Sequence, residues 1–191
     1  MLWAILISAI LFTSFNLYRL LTYKKRFAVK AIVKAIRPLL LNLENTGGIP
    51  PGFWEDSYVL GYFSGLANYF VMASIPGEIT EKDIFNLKAY KPIAFESLSG
   101  RPAIWFEQLI DILQNNGDRE YFRGLDNAQK VTSFNLPLPE IENDPDIVEA
   151  RNMAKKGEPL KSLTAHLPEE VRILTLLQMK FFFDEVRNRL G

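Results

Sequence analysis

The chain has no cysteine, one histidine and no net charge. The missing cysteines exclude disulfides, thiolate metal sites, iron–sulfur clusters and cysteine nucleophiles. A single histidine, His166, excludes two-histidine metal motifs and His–His proton relays; in "TAHLPEE", just ahead of a helix start, it reads as a turn or capping residue. There is no glycine loop for cradling phosphate, no dinucleotide-binding glycine pattern, no nucleophile elbow and no Asn-x-Ser/Thr sequon. No segment alternates with the period of a strand and no internal repeat occurs. The motifs imply neither a metal nor a cofactor.

Charge is also missing from residues 1–18, after which Arg19, Lys24, Lys25, Arg26, Lys30, Lys34 and Arg37 follow in close succession. As a helix the uncharged run is about 27 Å long, against roughly 30 Å of bilayer hydrocarbon. Leu20, Leu21 and Tyr23 extend its apolar surface, and Trp3, Tyr18 and Tyr23 are aromatics of the kind favoured at membrane interfaces. A secretory signal would carry basic residues ahead of a shorter run and a small-x-small cleavage site behind it. The pattern therefore predicts an uncleaved transmembrane anchor over residues 1–23. Because basic residues stay on the cytoplasmic side, it also predicts a single pass with the N-terminus outside and the C-terminal body in the cytoplasm.

The zero net charge is unevenly spread. Through residue 45 there are seven basic residues and one acid; beyond it, fifteen basic residues face twenty-one acids. An acidic body lacks the concentrated basic patch that nucleic acid would require. With fourteen phenylalanines it has the means to bury a substantial core.

Residues 24–45 form the second predicted unit, a basic amphipathic juxtamembrane helix. Val29, Ile32, Val33, Ile36, Leu40 and Leu43 recur at helical spacing, with Lys30, Lys34 and Arg37 opposite. One reading lays this helix in the headgroup plane, apolar side in lipid, with Lys24, Lys25, Arg26, Lys30, Lys34 and Arg37 facing phosphates. The other packs it on the body with its lysines in water. Its position directly after the anchor favours the first. Pro38 predicts a kink or interruption.

"TGGIPPG" at residues 46–52 is a helix stop and marks the start of a third unit, an α-helical domain over residues 46–191. Residues 57–77 are uncharged and long enough to span, but Ser57, Tyr58, Tyr62, Ser64, Asn68, Tyr69 and Ser74 make them polar for a span. Val59, Phe63, Leu66, Phe70 and Ala73 form one stripe; Gly61 and Gly65 lie on a narrow opposite one where a second helix can approach closely. A central body helix buried on both sides explains both stripes, and a second span is the alternative.

Punctuation sets the remaining helices. Thr80 with Asp83 resembles a capping box for a helix from Glu81 to about Tyr90, ahead of Pro92. Another runs from about Ser99 to Asn115, closed by Gly117, and a weaker one follows from Asp118 to Ser133, interrupted in propensity by Gly124. A Pro-rich, acidic stretch at residues 135–146 leads to a helix capped by Asp144 and ended by Gly157; the last helix opens at Pro168 and reaches about Leu190, with Lys180 and Asp184 placed to pair. The fold class is all-α, a compact multi-helix bundle behind the two N-terminal helices.

Few residues carry chemistry. Glu107 and Asp111, one helical turn apart, could share a divalent cation, but Gln114 continues their stripe opposite Trp105 and Leu109, which reads as a solvated face. Phe53 and Trp54 in "GFWED" are a candidate partner interface, or a staple over the core. The sequence therefore points to a membrane-anchored, non-enzymatic helical protein that contacts lipid through its N-terminal region and binds a protein partner or itself. The alternatives are a membrane-associated enzyme using carboxylates such as Glu96, Glu107 and Asp111 or a bound cofactor, and a membrane-shaping protein acting through residues 26–45.

Overall fold

The computed structural model describes the backbone of residues 2–74, 81–134, 136, 138–156 and 167–191, and the side chains within them from residue 23 on except 74 and 81–85. Every described element is helical: α1 (Leu2–Thr46), α2 (Ser57–Ser74), α3 (Glu81–Ser99), α4 (Ala103–Asn115), α5 (Arg119–Ser133), α6 (Pro139–Glu142), α7 (Pro145–Lys156), α8 (Glu169–Gln178), a π-helical turn (Met179–Phe183) and α9 (Asp184–Leu190). Among the described residues no helix is long and apolar enough to cross a membrane. Of the predicted anchor at residues 1–23, every side chain but that of Tyr23 lies outside the described residues.

Helix α1 is continuous for 45 residues. It has no glycine, and its one proline, Pro38, sits on the exposed face without ending it. The apolar stripe of its second half is not free for lipid. Ala28, Ile32, Ile36, Leu39, Leu40 and Leu43 are buried in the same core as the rest of the chain, packed on α2 and α3. A helix lying in the headgroup plane with this face in lipid is therefore corrected to a core helix. The predicted unit at residues 24–45 shares its core with the domain at residues 46–191, because burying that stripe against protein removes the same apolar area from water.

Helix α2 is the centre of the bundle. Tyr58, Val59, Leu60, Tyr62, Phe63, Leu66, Ala67 and Val71 are all buried. Their burial against α1, α3 and above all α5 accounts for the described part of the uncharged run at residues 57–77, Ser57–Ser74, as a central body helix. The α2–α5 crossing is backbone to backbone: a Cβ on Gly61 would sit 1.9 Å from the Tyr121 carbonyl oxygen, and one on Gly124 would sit 2.2 Å from that of Tyr58. Gly124, which lowers helix propensity, is kept for this contact.

Local chemistry sets the other ends. Gly117, at φ 63°, closes α4, with Asp118 N–H donating to the Leu113 carbonyl at 2.9 Å. Asp118 then caps α5, accepting from Tyr121 N–H at 2.8 Å. Asp144 caps α7 through the N–H groups of Asp146 and Ile147 at 3.0 and 3.2 Å. Helix α3 overrides the predicted stop before Pro92 and runs to Ser99. Ala94 and Phe95 carry its buried face past the proline, and that packing outweighs a penalty of about 3 kcal/mol. The capping box at Thr80 and Asp83, Gly157 and His166 lie outside the described residues or their side chains.

The predicted C-terminal helix contains one wide turn, Met179–Phe183, that brings the consecutive Phe181 and Phe182 into the core. The Phe181 carbonyl there accepts a hydrogen bond from the buried Tyr58 hydroxyl. Lys180 does not pair with Asp184; it reaches across to Asp146 at 2.9 Å and Glu149 at 2.7 Å on α7.

Candidate functional site

Phe53 and Trp54 are not available as an interface. Phe53 is 1% exposed and Trp54 8%. Phe53 packs on Phe63 and Phe182 at ring-centroid distances of 5.8 and 6.3 Å, and Trp54 on Phe63 and Phe106 at 5.7 Å each. The loop after α1 thus plugs an aromatic core rather than presenting a surface, which corrects the interface reading. Gly61 and Gly65 are helix-packing positions: a Cβ on Gly65 would meet that of Ala128 at 2.6 Å.

The basic residues behave differently. Lys24, Lys25, Arg26, Lys30, Lys34 and Arg37 are all exposed on α1. Among the described residues, Lys25, Arg26, Lys30, Lys34 and Arg37 have no acidic partner. This segment therefore presents positive charge to whatever lies beside it. Beside Lys30 and Lys34 is a groove of about 540 Å³, lined by Phe27, Ala31 and Ala35 of α1 and Phe70 of α2. Tyr23 stacks on Phe27 at 6.1 Å and Tyr69 meets Phe70 edge-on at 5.5 Å. Tyr23, Phe27, Tyr69, Phe70 and Met72 are all exposed, so large apolar side chains concentrate near this end of the bundle.

A second cavity, about 250 Å³, lies between α3 and α4, lined in part by Asn86, Lys88, Lys91, Glu107, Asp111 and Gln114. Lys91 is 6% exposed and has no ion-pair partner among the described residues. Burial, reinforced by the neighbouring Lys88 charge, pushes its ammonium from an ordinary value of 10.5 down to about 8. Glu107 and Asp111 are brought to the cavity rim but are exposed, as is Glu96. No group of three or more His, Cys, Asp or Glu side chains among the described residues is placed to hold a metal ion.

Lys91 escapes a reading that ends the helix before Pro92. Its signal is spacing: Leu87, Lys91, Ala94 and Leu98 fall on one face, and a lysine inside such a stripe is a lysine under the bundle.

A third polar cluster surrounds Tyr58. Its hydroxyl accepts from Asn127 Nδ2 at 3.0 Å, and Arg123 and Arg189 lie over its ring at 4.7 and 5.6 Å. Arg123 bridges Glu120 and Glu185 at 2.8 Å each, and Arg189 joins Asp56 and Glu120. Burial pushes the Tyr58 phenol up to about 12, so it stays a neutral hydrogen-bonding group at any working pH. Every charge in the cluster is matched, and it serves to dock α9 on α2 and α5. Compared with protein families, characterised proteins and solved structures, the chain matches none.

Proposed function

We propose that this protein is a membrane-anchored, non-enzymatic helical module that holds its bundle at the membrane surface for binding a protein partner or a second copy. The observation that carries the reading is the continuity of α1 from Leu2 to Thr46, so that the uncharged run and a core helix of the bundle are one element. A bundle built on the anchor's own helix is held at a set height and orientation. Confinement to the membrane plane raises its effective concentration for a membrane partner without any new contact. The exposed basic residues from Lys24 to Arg37 support a cytoplasmic bundle, on the side where anionic lipid is enriched. Exposed Ile104, Ile112, Phe122, Val148, Val171 and Met179 supply apolar surface for a partner.

The test is protease digestion of a C-terminal tag in sealed, right-side-out membranes. Protection before lysis and digestion after it supports an anchored cytoplasmic bundle. Digestion in intact membranes reverses the orientation, and release of the chain by alkaline extraction removes the anchor.

A second reading, an enzyme or small-molecule binder, draws on one observation, the buried Lys91 in its cavity. The exposure of Glu96, Glu107 and Asp111 weakens its carboxylate form. Selective labelling of Lys91 by an amine-reactive probe at pH 8, blocked by a metabolite extract, would favour it.

A further inference from the structure

The groove on α1 combines two features that seldom serve one purpose in a surface helix. It is lined by Phe27, Ala31 and Ala35 of α1 and by Phe70 of α2, so a hydrocarbon chain lying in it meets mainly carbon. Lys30 and Lys34, one turn apart, line it too, exposed and without an acidic partner among the described residues. A lysine whose only task is solubility needs no partner, but two of them beside an apolar slot form a site of mixed chemistry, in which an anionic group and a hydrocarbon chain are recognised together.

We propose that this groove holds an anionic glycerophospholipid drawn from the adjoining leaflet, its phosphate on Lys30 and Lys34 and one acyl chain lying along Ala31 and Ala35 between Phe27 and Phe70. The inference rests on the membrane-anchored reading and names the ligand of its basic segment. Along an α-helix Phe27 lies about 6 Å, Lys30 about 10 Å and Lys34 about 16 Å beyond Tyr23, against a headgroup zone about 5–8 Å thick, so a lipid bound here has its phosphate lifted above the leaflet. The chain of a lipid bound here runs back past Phe27 towards the bilayer. An acidic peptide is the poorer fit, because an extended backbone needs hydrogen-bonding partners and the groove offers mainly carbon.

The full-length chain, purified in nonionic detergent with equal parts phosphatidylcholine and phosphatidylglycerol, is examined by native mass spectrometry for retained lipid. The expected result is one phosphatidylglycerol retained per chain in preference to phosphatidylcholine. Replacing both lysines, Lys30→Ala with Lys34→Ala, lowers that affinity about thirtyfold, from a loss of roughly fivefold per phosphate-facing lysine. Ala31→Trp, which fills the slot at unchanged charge, abolishes retention, and Phe70→Ala, which removes a wall without adding bulk, gives the same reading if Ala31→Trp does not fold. Lys155→Ala with Lys156→Ala, an equal loss of exposed charge on α7 and outside the groove, leaves retention within about twofold. An equal loss in that control, retention that survives both Ala31→Trp and Phe70→Ala, or equal retention of phosphatidylcholine overturns the proposal. Alkaline extraction from pure phosphatidylcholine vesicles reads the anchor separately: a chain that resists extraction but retains no phosphatidylglycerol refutes the groove alone.

Discussion

Arg189 grips Asp56 across 133 residues, its Nε and Nη2 donating to the carboxylate at 3.0 to 3.2 Å. The pair links the two ends of the bundle. Asp56 also caps α2 by accepting from Val59 N–H at 3.0 Å, so one carboxylate both starts the central helix and receives the last one. The Asp56 side chain is 10% exposed.

Arg189→Ala should therefore lower stability by about 1.5–3 kcal/mol, the range for hydrogen bonds to a charged group. Lysine should not restore it, because a single ammonium cannot reproduce the fork. Thermal unfolding of both variants in detergent checks the magnitude. Faster amide exchange confined first to residues 179–190 checks that the effect acts through docking of α9. A variant as stable as the parent would make the pair a surface ornament of the fold.

Gly61→Ala and Gly124→Ala test the α2–α5 crossing. Each methyl would lie within 2.2 Å of a backbone carbonyl oxygen, which no rotamer change relieves. Alanine raises helix propensity by about 1 kcal/mol, yet each variant is expected to lose stability by about 3 kcal/mol or more, the upper range for overpacking. Stabilisation by either substitution, read from the melting temperature, would mean that the helices do not touch there.

Ile32→Ala and Ile36→Ala address the face of α1 that packs on the bundle. Both side chains are 0% exposed, and truncation of a buried isoleucine costs about 2–5 kcal/mol. A helix with this face in lipid would show little loss in bundle stability. Denaturation of the full chain in detergent, followed by tryptophan fluorescence in a chain that keeps Trp54 with Trp3 and Trp105 replaced by phenylalanine, separates the two arrangements.

Lys91 gives the bundle a pH dependence in the alkaline range. Its value in the folded chain, about 8, lies below the ordinary 10.5, so between those values the unfolded chain binds more protons and stability rises with pH. The destabilisation from burying the charged form is full below pH 8 and gone above about 10.5; a shift of this size corresponds to about 3 kcal/mol. Lys91→Met should be more stable than the parent at pH 7, with the difference narrowing by pH 10. A constant difference across that range would show that Lys91 titrates alike in both states.

The parts of this fold that can be read from the chain are those decided by local chemistry. Asp118, Asp144 and Gly117 mark helix ends in sequence and in space. What the linear pattern leaves open is which partner an apolar face meets. The stripe from Ile32 to Leu43 has the same spacing whether it faces lipid or protein, and only the fold brings α2 and α3 against it. Pro92 and Gly124 are misleading for one reason: each disfavours a helix locally, and each sits where tertiary contacts sustain one. Lys180 shows the limit of counting turns, since its partners lie on α7 and not one turn along its own helix. The exposure of the basic series on α1 is legible from its spacing opposite the apolar stripe, but the groove beside it requires Phe70 from a different helix.

The unbroken course of α1 also makes it a shaft. With its second half fixed in the bundle from Ala28 to Leu43, each residue inserted just ahead of Ala28 would turn everything upstream by about 100° and lengthen the shaft by about 1.5 Å. Four inserted residues would nearly restore the heading, at about 6 Å greater reach. The azimuth of the bundle relative to its N-terminal run is thus written in residue count, and a rotation applied at one end is delivered as torque to Ile32, Ile36 and Leu40 at the other.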